Sequence, residues 1–123
     1  MKKAIMTVAT LTLMAGCGNG NEEEVNLIQS AEGFINQVVE GEYEAAVEKF
    51  DERTRESLPA EQLEIVWNEL EDTYGTFVHY EYEETIQEQD LEILRFAGSF
   101  EEVETMLTVT FNEEEEIVGF LIQ

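Results

Sequence analysis

The chain of 123 residues has one cysteine, one histidine and only six lysine and arginine residues. Each shortage excludes something. A lone cysteine, Cys17, leaves no disulfide to form within the chain, so the fold rests on its apolar core. A lone histidine, His79, removes paired Cys/His metal spacing and argues against a Ser-His-Asp triad. There is no nucleophile elbow and no glycine loop of the kind that cradles phosphate. Against the six basic residues stand 29 acidic ones, for a formal net charge of −23. Such a chain repels both nucleic-acid phosphates and an anionic leaflet. The apolar run at residues 4–15 (AIMTVATLTLMA) is shorter than the roughly 20 residues that a spanning helix needs.

What is present begins with that run. Lys2 and Lys3 precede it and the small residues Ala15 and Gly16 follow, which is the order of a secretory signal over residues 1–16. Met14-Ala15-Gly16-Cys17 resembles the bacterial lipobox, an apolar residue and two small ones before a cysteine. The resemblance implies cleavage before Cys17, lipidation of its sulfur and diacylation of the palmitate kind. A lipid-anchored protein on the extracytoplasmic face of the cell membrane, in a Gram-positive bacterium, is therefore expected. Each buried methylene contributes about 0.8 kcal/mol, so two chains hold where one does not. Removal of Lys2 and Lys3 leaves four basic residues against 29 acidic ones, net −25. Spread as they are along the chain, the carboxylates read as a solvated coat. Residues 17–24 (CGNGNEEE) are the lipidated cysteine and a tether, short enough at ~3.3 Å per residue to keep the domain near the membrane.

Residues 25–123 form one domain by length and by the absence of any repeat or composition break. Leu27, Ala31, Phe34 and Val38, with Ile28, Ile35 and Val39 alongside, make an apolar stripe of helical period that ends at Gly41. Tyr43, Ala46, Val47 and Phe50 give a second, shorter helix. A third starts at Pro59, lines Leu63, Val66, Trp67, Leu70 and Tyr74 on one face, and stops at Gly75. The period then changes to two. Val78, Tyr80 and Tyr82, with Ile86 continuing, form one face of a strand; Leu94, Phe96 and Phe100 form the next. Val103, Thr105, Leu107, Val109 and Phe111 follow, and a last strand covers 117–122. The expected architecture is α+β: three N-terminal helices packed on one face of an antiparallel meander of four strands.

Several signatures carry a further resemblance. "GEYEAAVEKFDERTRESLPAEQLEIVWNELEDTYGTF" (41–77) and "VTFNEEEEIVGFLI" (109–122) place Gly41, Tyr43, a Phe50-Asp51 pair, Leu58-Pro59, Leu63, Trp67, Tyr74-Gly75, Phe111, Ile117, Gly119 and Phe120 in a familiar order. This order resembles a bacterial domain of unknown function, similar to the nuclear-transport-factor-2-like (cystatin-like cone) superfamily. Domains of that family occur in lipoproteins and ahead of some α/β-hydrolases. The resemblance implies a curved sheet wrapped around helices as a cone, over residues 25–122. It assigns no functional residue. The turn "NEEEE" lacks the glycine more usual there.

An enzyme pocket in such a cone, as in isomerases and cyclases, needs an acid or base inside apolar walls. The inward faces offer almost none. Tyr43, Asp51, Tyr80 and Tyr82 are the candidate pocket residues; His79 alternates onto the opposite face, and Asp51 is expected to cap or terminate the second helix. Trp67 is expected in the core. Glu113–Glu116 lacks the spaced ligands of a calcium loop and reads as a solvated turn. No catalytic residue, metal or cofactor is assigned. The expected role is non-catalytic binding of a small apolar ligand or a partner protein. The alternatives are a small isomerase or cyclase, or an accessory domain to a separate hydrolase.

Overall fold

In a computed structural model the backbone is described for residues 8–123 and the side chains for residues 22–123. The start of the expected signal lies outside the described residues, as does the side chain of Cys17, the expected site of lipidation. Helix α1 covers Val8–Val39, α2 Tyr43–Val47, α3 Glu52–Ser57 and α4 Ala60–Tyr74. Strands β1 (Phe77–Glu88), β2 (Leu91–Phe100), β3 (Glu104–Phe111) and β4 (Ile117–Ile122) follow. They form one antiparallel sheet in the order β1-β2-β3-β4. The class is α+β, with helices packed against an open four-stranded sheet. Among the described residues no helix is long and apolar enough to cross a membrane.

The helices depart from the sequence expectation in three ways. First, α1 runs through residues 17–24, the segment expected as a tether. Its packed part nonetheless begins at Leu27: Glu22 to Asn26 are exposed, while Leu27, Ala31, Phe34, Ile35 and Val38 are buried. Second, the second helix ends at Val47. Phe50 leaves it to form a parallel bridge with Ile117, and the amide of Asp51 donates to the Ile117 carbonyl at 3.0 Å. Third, a fourth helix, α3, appears where none was expected. It buries nothing, so no apolar period announces it; Asp51 caps it by accepting the Thr54 amide at 2.9 Å. Asp51 thus starts α3 rather than finishing α2.

The stops are where left-handed backbone is needed. Gly41 (φ 83°) separates α1 from α2, and Gly75 (φ 91°) ends α4. A Cβ on Gly75 would lie 2.7 Å from that of Glu101, whose carboxylate accepts the Thr76 amide at 3.1 Å. The close approach ties the end of α4 to the β2–β3 turn. Pro59 stands immediately before α4, and its carbonyl accepts the Leu63 amide.

Bulges in β1 re-aim its side chains. The register with β2 shifts between Phe77 and His79 and again between Tyr82 and Glu84. Each extra residue resets the alternation. Phe77, Tyr80, Tyr82 and Thr85 therefore share the inner face, opposite Phe100, Gly98, Phe96 and Leu94. Val78, expected inside, is 59% exposed, and Ile86 also points outward. Val103 precedes β3 and is exposed, as is Val66 on α4. The rest of the strand expectation holds: Leu94, Phe96, Phe100, Leu107, Val109, Phe111 and Ile117 are buried under the helices.

Aromatic rings fill the space between the layers. Phe34 meets Phe120 edge-on at 4.8 Å and Phe50 at 5.5 Å. Trp67, 2% exposed, packs on Phe77 and Phe100 at 5.4 and 5.6 Å. Burying such a side chain contributes roughly 1.5–3 kcal/mol, so a domain without disulfides has its stability in this layer. The β3–β4 turn is organised by Asn112, whose side-chain Oδ1 accepts the amides of Glu114 and Glu116, both at 2.9 Å. Glu115 takes φ 64° there, the conformation for which a glycine is more usual.

Candidate functional site

The sequence candidates occupy three separate places. Tyr80 and Tyr82 leave the inner face of β1 toward α1, each packing edge-on against Phe96 at 5.7 Å. The Tyr80 hydroxyl donates to the Asn36 side chain at 3.0 Å. The Tyr82 hydroxyl pairs with that of Thr85 at 2.6 Å and reaches Glu24 at 3.4 Å. These contacts join the first helix to the edge of the sheet. Asp51 lies beside β4, engaged in its cap. Tyr43 lies at the start of α2. His79 is exposed on the outer face, opposite Ser99.

Tyr43 lines an open groove of about 680 Å³ between the start of α2 and the first turns of α4. The groove holds none of Asp51, Tyr80 and Tyr82. Its other walls are Gly41, Glu42, Glu44, Ala45, Ala60, Glu61 and Glu64. Sequence reasoning missed the four carboxylates, because residues 41–45 and 60–64 meet only when α2 packs on α4. The charge is complementary to cations. Among the described residues no group of acidic, histidine or cysteine side chains is arranged to hold a metal ion.

The electrostatics of the candidates run away from acid–base work at neutral pH. Burial, with the nearby charges of Glu64 and Glu71, pushes the Tyr43 phenol above its ordinary value. Burial and Glu32 push Tyr80 up as well, against a smaller opposing effect of its bond to Asn36. Both phenols stay protonated and can donate a hydrogen bond. Hydrogen bonding from Thr54, through its hydroxyl and then its amide, holds the Asp51 carboxyl below its ordinary range. A general acid or base is tuned in the opposite direction, toward the working pH. No polar or charged residue is buried among the described residues. Among the described residues two enclosed side-chain polar atoms have no hydrogen-bond partner, Gln37 Oε1 and the Trp67 indole nitrogen.

Residues 31–120 match the family described as "Protein of unknown function (DUF3887)". No curated protein and no solved structure matches the chain.

Proposed function

The chain belongs to this family of unknown function, and from that premise we propose that it is a lipid-anchored, extracytoplasmic binding protein. Its single domain engages a partner through its surface rather than transforming a substrate in its interior. The observation that carries this reading is the filled inner layer. Phe34, Phe96, Leu107, Val109 and Phe111 are fully buried where a cone-type enzyme would keep a cavity with a desolvated acid. The same filling leaves an apolar ligand little internal space and favours a protein partner. The layer order, helices on one face of a bulged antiparallel meander, supports the cone arrangement of the nuclear-transport-factor-2-like superfamily. The basic start, apolar run and Met14-Ala15-Gly16-Cys17 support the anchor.

The test is metabolic labelling of the full chain with an alkyne-tagged palmitate in a Gram-positive host. The wild-type chain should take up label and sediment with membranes. Cys17→Ser should do neither. Equal labelling and membrane recovery of the two chains would overturn the anchor.

A further inference from the structure

We infer that the free edge of β4 is a docking site for an extended, basic segment of another protein, which joins the sheet as a fifth strand. The two edges of the sheet differ. β1 is guarded as exposed edges usually are, by two bulges and by Glu81, Glu83, Glu84 and Glu88 along its length. β4 (IVGFLI) has no charged residue, and its one register shift lies at the Ile117 end. Gln123 and Met106 exchange both backbone hydrogen bonds, at 2.9 and 3.0 Å. By alternation, Leu121 opposite Thr108 and Gly119 opposite Thr110 also turn their N–H and C=O toward β3. Those of Phe120 and Ile122 therefore face away from the sheet. Among the described residues no backbone group from outside the ladder reaches them.

The chain itself shows what this edge accepts. The Ile117 N–H donates to the Lys49 carbonyl at 2.8 Å, and the Ile117 carbonyl accepts the Asp51 amide at 3.0 Å, a short parallel pairing. The pairing stops there because Asp51 turns into the cap of α3, a helix that buries no side chain. Two donors and two acceptors remain on residues two apart, about 6.8 Å along the strand. A helix has already used its own backbone groups; an extended backbone matches these four. Phe120, Leu121 and Ile122 favour apolar or β-branched residues in the segment that pairs with them. Charge selects its ends. The turn leading into β4 holds Glu113–Glu116, and the whole chain carries a net −23. Residues 48–56, beside the edge, hold three cations and four carboxylates, close to balance. A segment flanked by lysine or arginine is drawn in, whereas a second copy brings its own −23 and its own acidic turn. The inference names a surface for the protein partner proposed above, so it rests on that reading of surface binding but not on the lipid anchor.

The experiment is nuclear magnetic resonance on the full chain in a nonionic detergent, titrated with a synthetic peptide of alternating valine and threonine between lysine ends. Amide hydrogen exchange at Phe120 and Ile122 should be fast in the free chain and should slow about tenfold or more with the peptide bound. Gly119 and Leu121, already bonded to β3, should change less. Methylating the peptide's backbone nitrogens removes its donors and should weaken binding about tenfold or more. Replacing its lysines by glutamates should also weaken binding, by more at low salt than at high salt. The proposal is overturned if the Phe120 and Ile122 amides stay unprotected at millimolar peptide, or if the methylated peptide binds as well as the parent. Protection along β1 in place of β4 overturns it too. Resonance shifts confined to the groove around Tyr43 would overturn the β4 edge and leave the reading of surface binding standing. Shifts confined to Phe34, Phe96 and Leu107 in the inner layer would overturn that reading as well.

Discussion

The two faces of the sheet are made from alternate residues of the same four strands and have opposite chemistry. On β2, Leu94, Phe96 and Phe100 point into the helices, while Arg95, Ala97 and Ser99 between them point away. The inner face is aromatic and closed, and its bulk settles how the helices dock. The outer face mixes small and β-branched side chains with Arg95, Met106, Leu121 and the glutamates of β1. A difference of this kind separates what holds the molecule together from what it presents. The filled inner face is the reason the proposed function places the contact with a partner on the outside.

The contrast is broken most directly from the inside. Trp67→Ala removes the ring on which Phe77 and Phe100 rest, and the cavity should cost about 3–5 kcal/mol in chemical denaturation. A loss below about 1 kcal/mol would mean that the inner layer is not the source of stability. Gly98 gives the complementary test, by overfilling. It lies on the inner face, and a Cβ there would stand 3.0 Å from the Leu107 side chain, itself fully buried. Gly98→Ala should therefore destabilise by about 1–3 kcal/mol, although the same change in a free strand is mildly stabilising. Thermal melts of the pair Gly98→Ala and Ala97→Gly, neighbours on opposite faces, would show whether volume matters on one side alone.

Much of this contrast is legible in the sequence because it is periodic. Leu63, Trp67, Leu70 and Tyr74 recur at helical spacing, and Leu107, Val109 and Phe111 at strand spacing, so their buried faces follow from the order of residues. What breaks the period is not legible. The bulges at Val78 and Glu83 leave no glycine or proline behind, and they send Val78 outward where alternation puts it in. Helix α3 buries no side chain, so hydrophobic spacing is blind to it. The pattern Asp51-Glu52-Arg53-Thr54, an acceptor followed by polar helix formers, was the local signal available. The groove at Tyr43 depends on the packing of α2 against α4, and no local pattern reports that. The resemblance to a lipobox is the reverse case: it is read from four residues and requires no fold.

Between the faces, at the β4 edge, Asp51 contributes through ionisation. Because Thr54 holds its carboxyl below the unfolded value of 3.8, the cap stabilises the fold above that pH. The contribution is lost as pH falls through the lower, folded value. Asp51→Ala should lower the melting temperature at neutral pH by less than either inner-face change. The gap between variant and wild type should close under strongly acidic conditions. A gap that stays constant with pH would assign the effect to packing and not to the charged cap.

The smallest effect belongs to the outer face. Arg95 and Glu84 form an ion pair at 3.0 Å, but their side chains are 36% and 52% exposed. Water and salt screen such a pair, and its net contribution is about 0–1 kcal/mol. Arg95→Ala should fall in that range at low salt and approach zero at high salt. Glu84→Gln separates the pair from the background. In a molecule this acidic, removing a carboxylate relieves repulsion, so Glu84→Gln should cost less than Arg95→Ala although both break the same contact. Equal losses from the two would mean that the pair itself carries the energy. A loss from either that rivals Trp67→Ala would show that the outer face also holds the fold together, and the division of labour between the faces would fail.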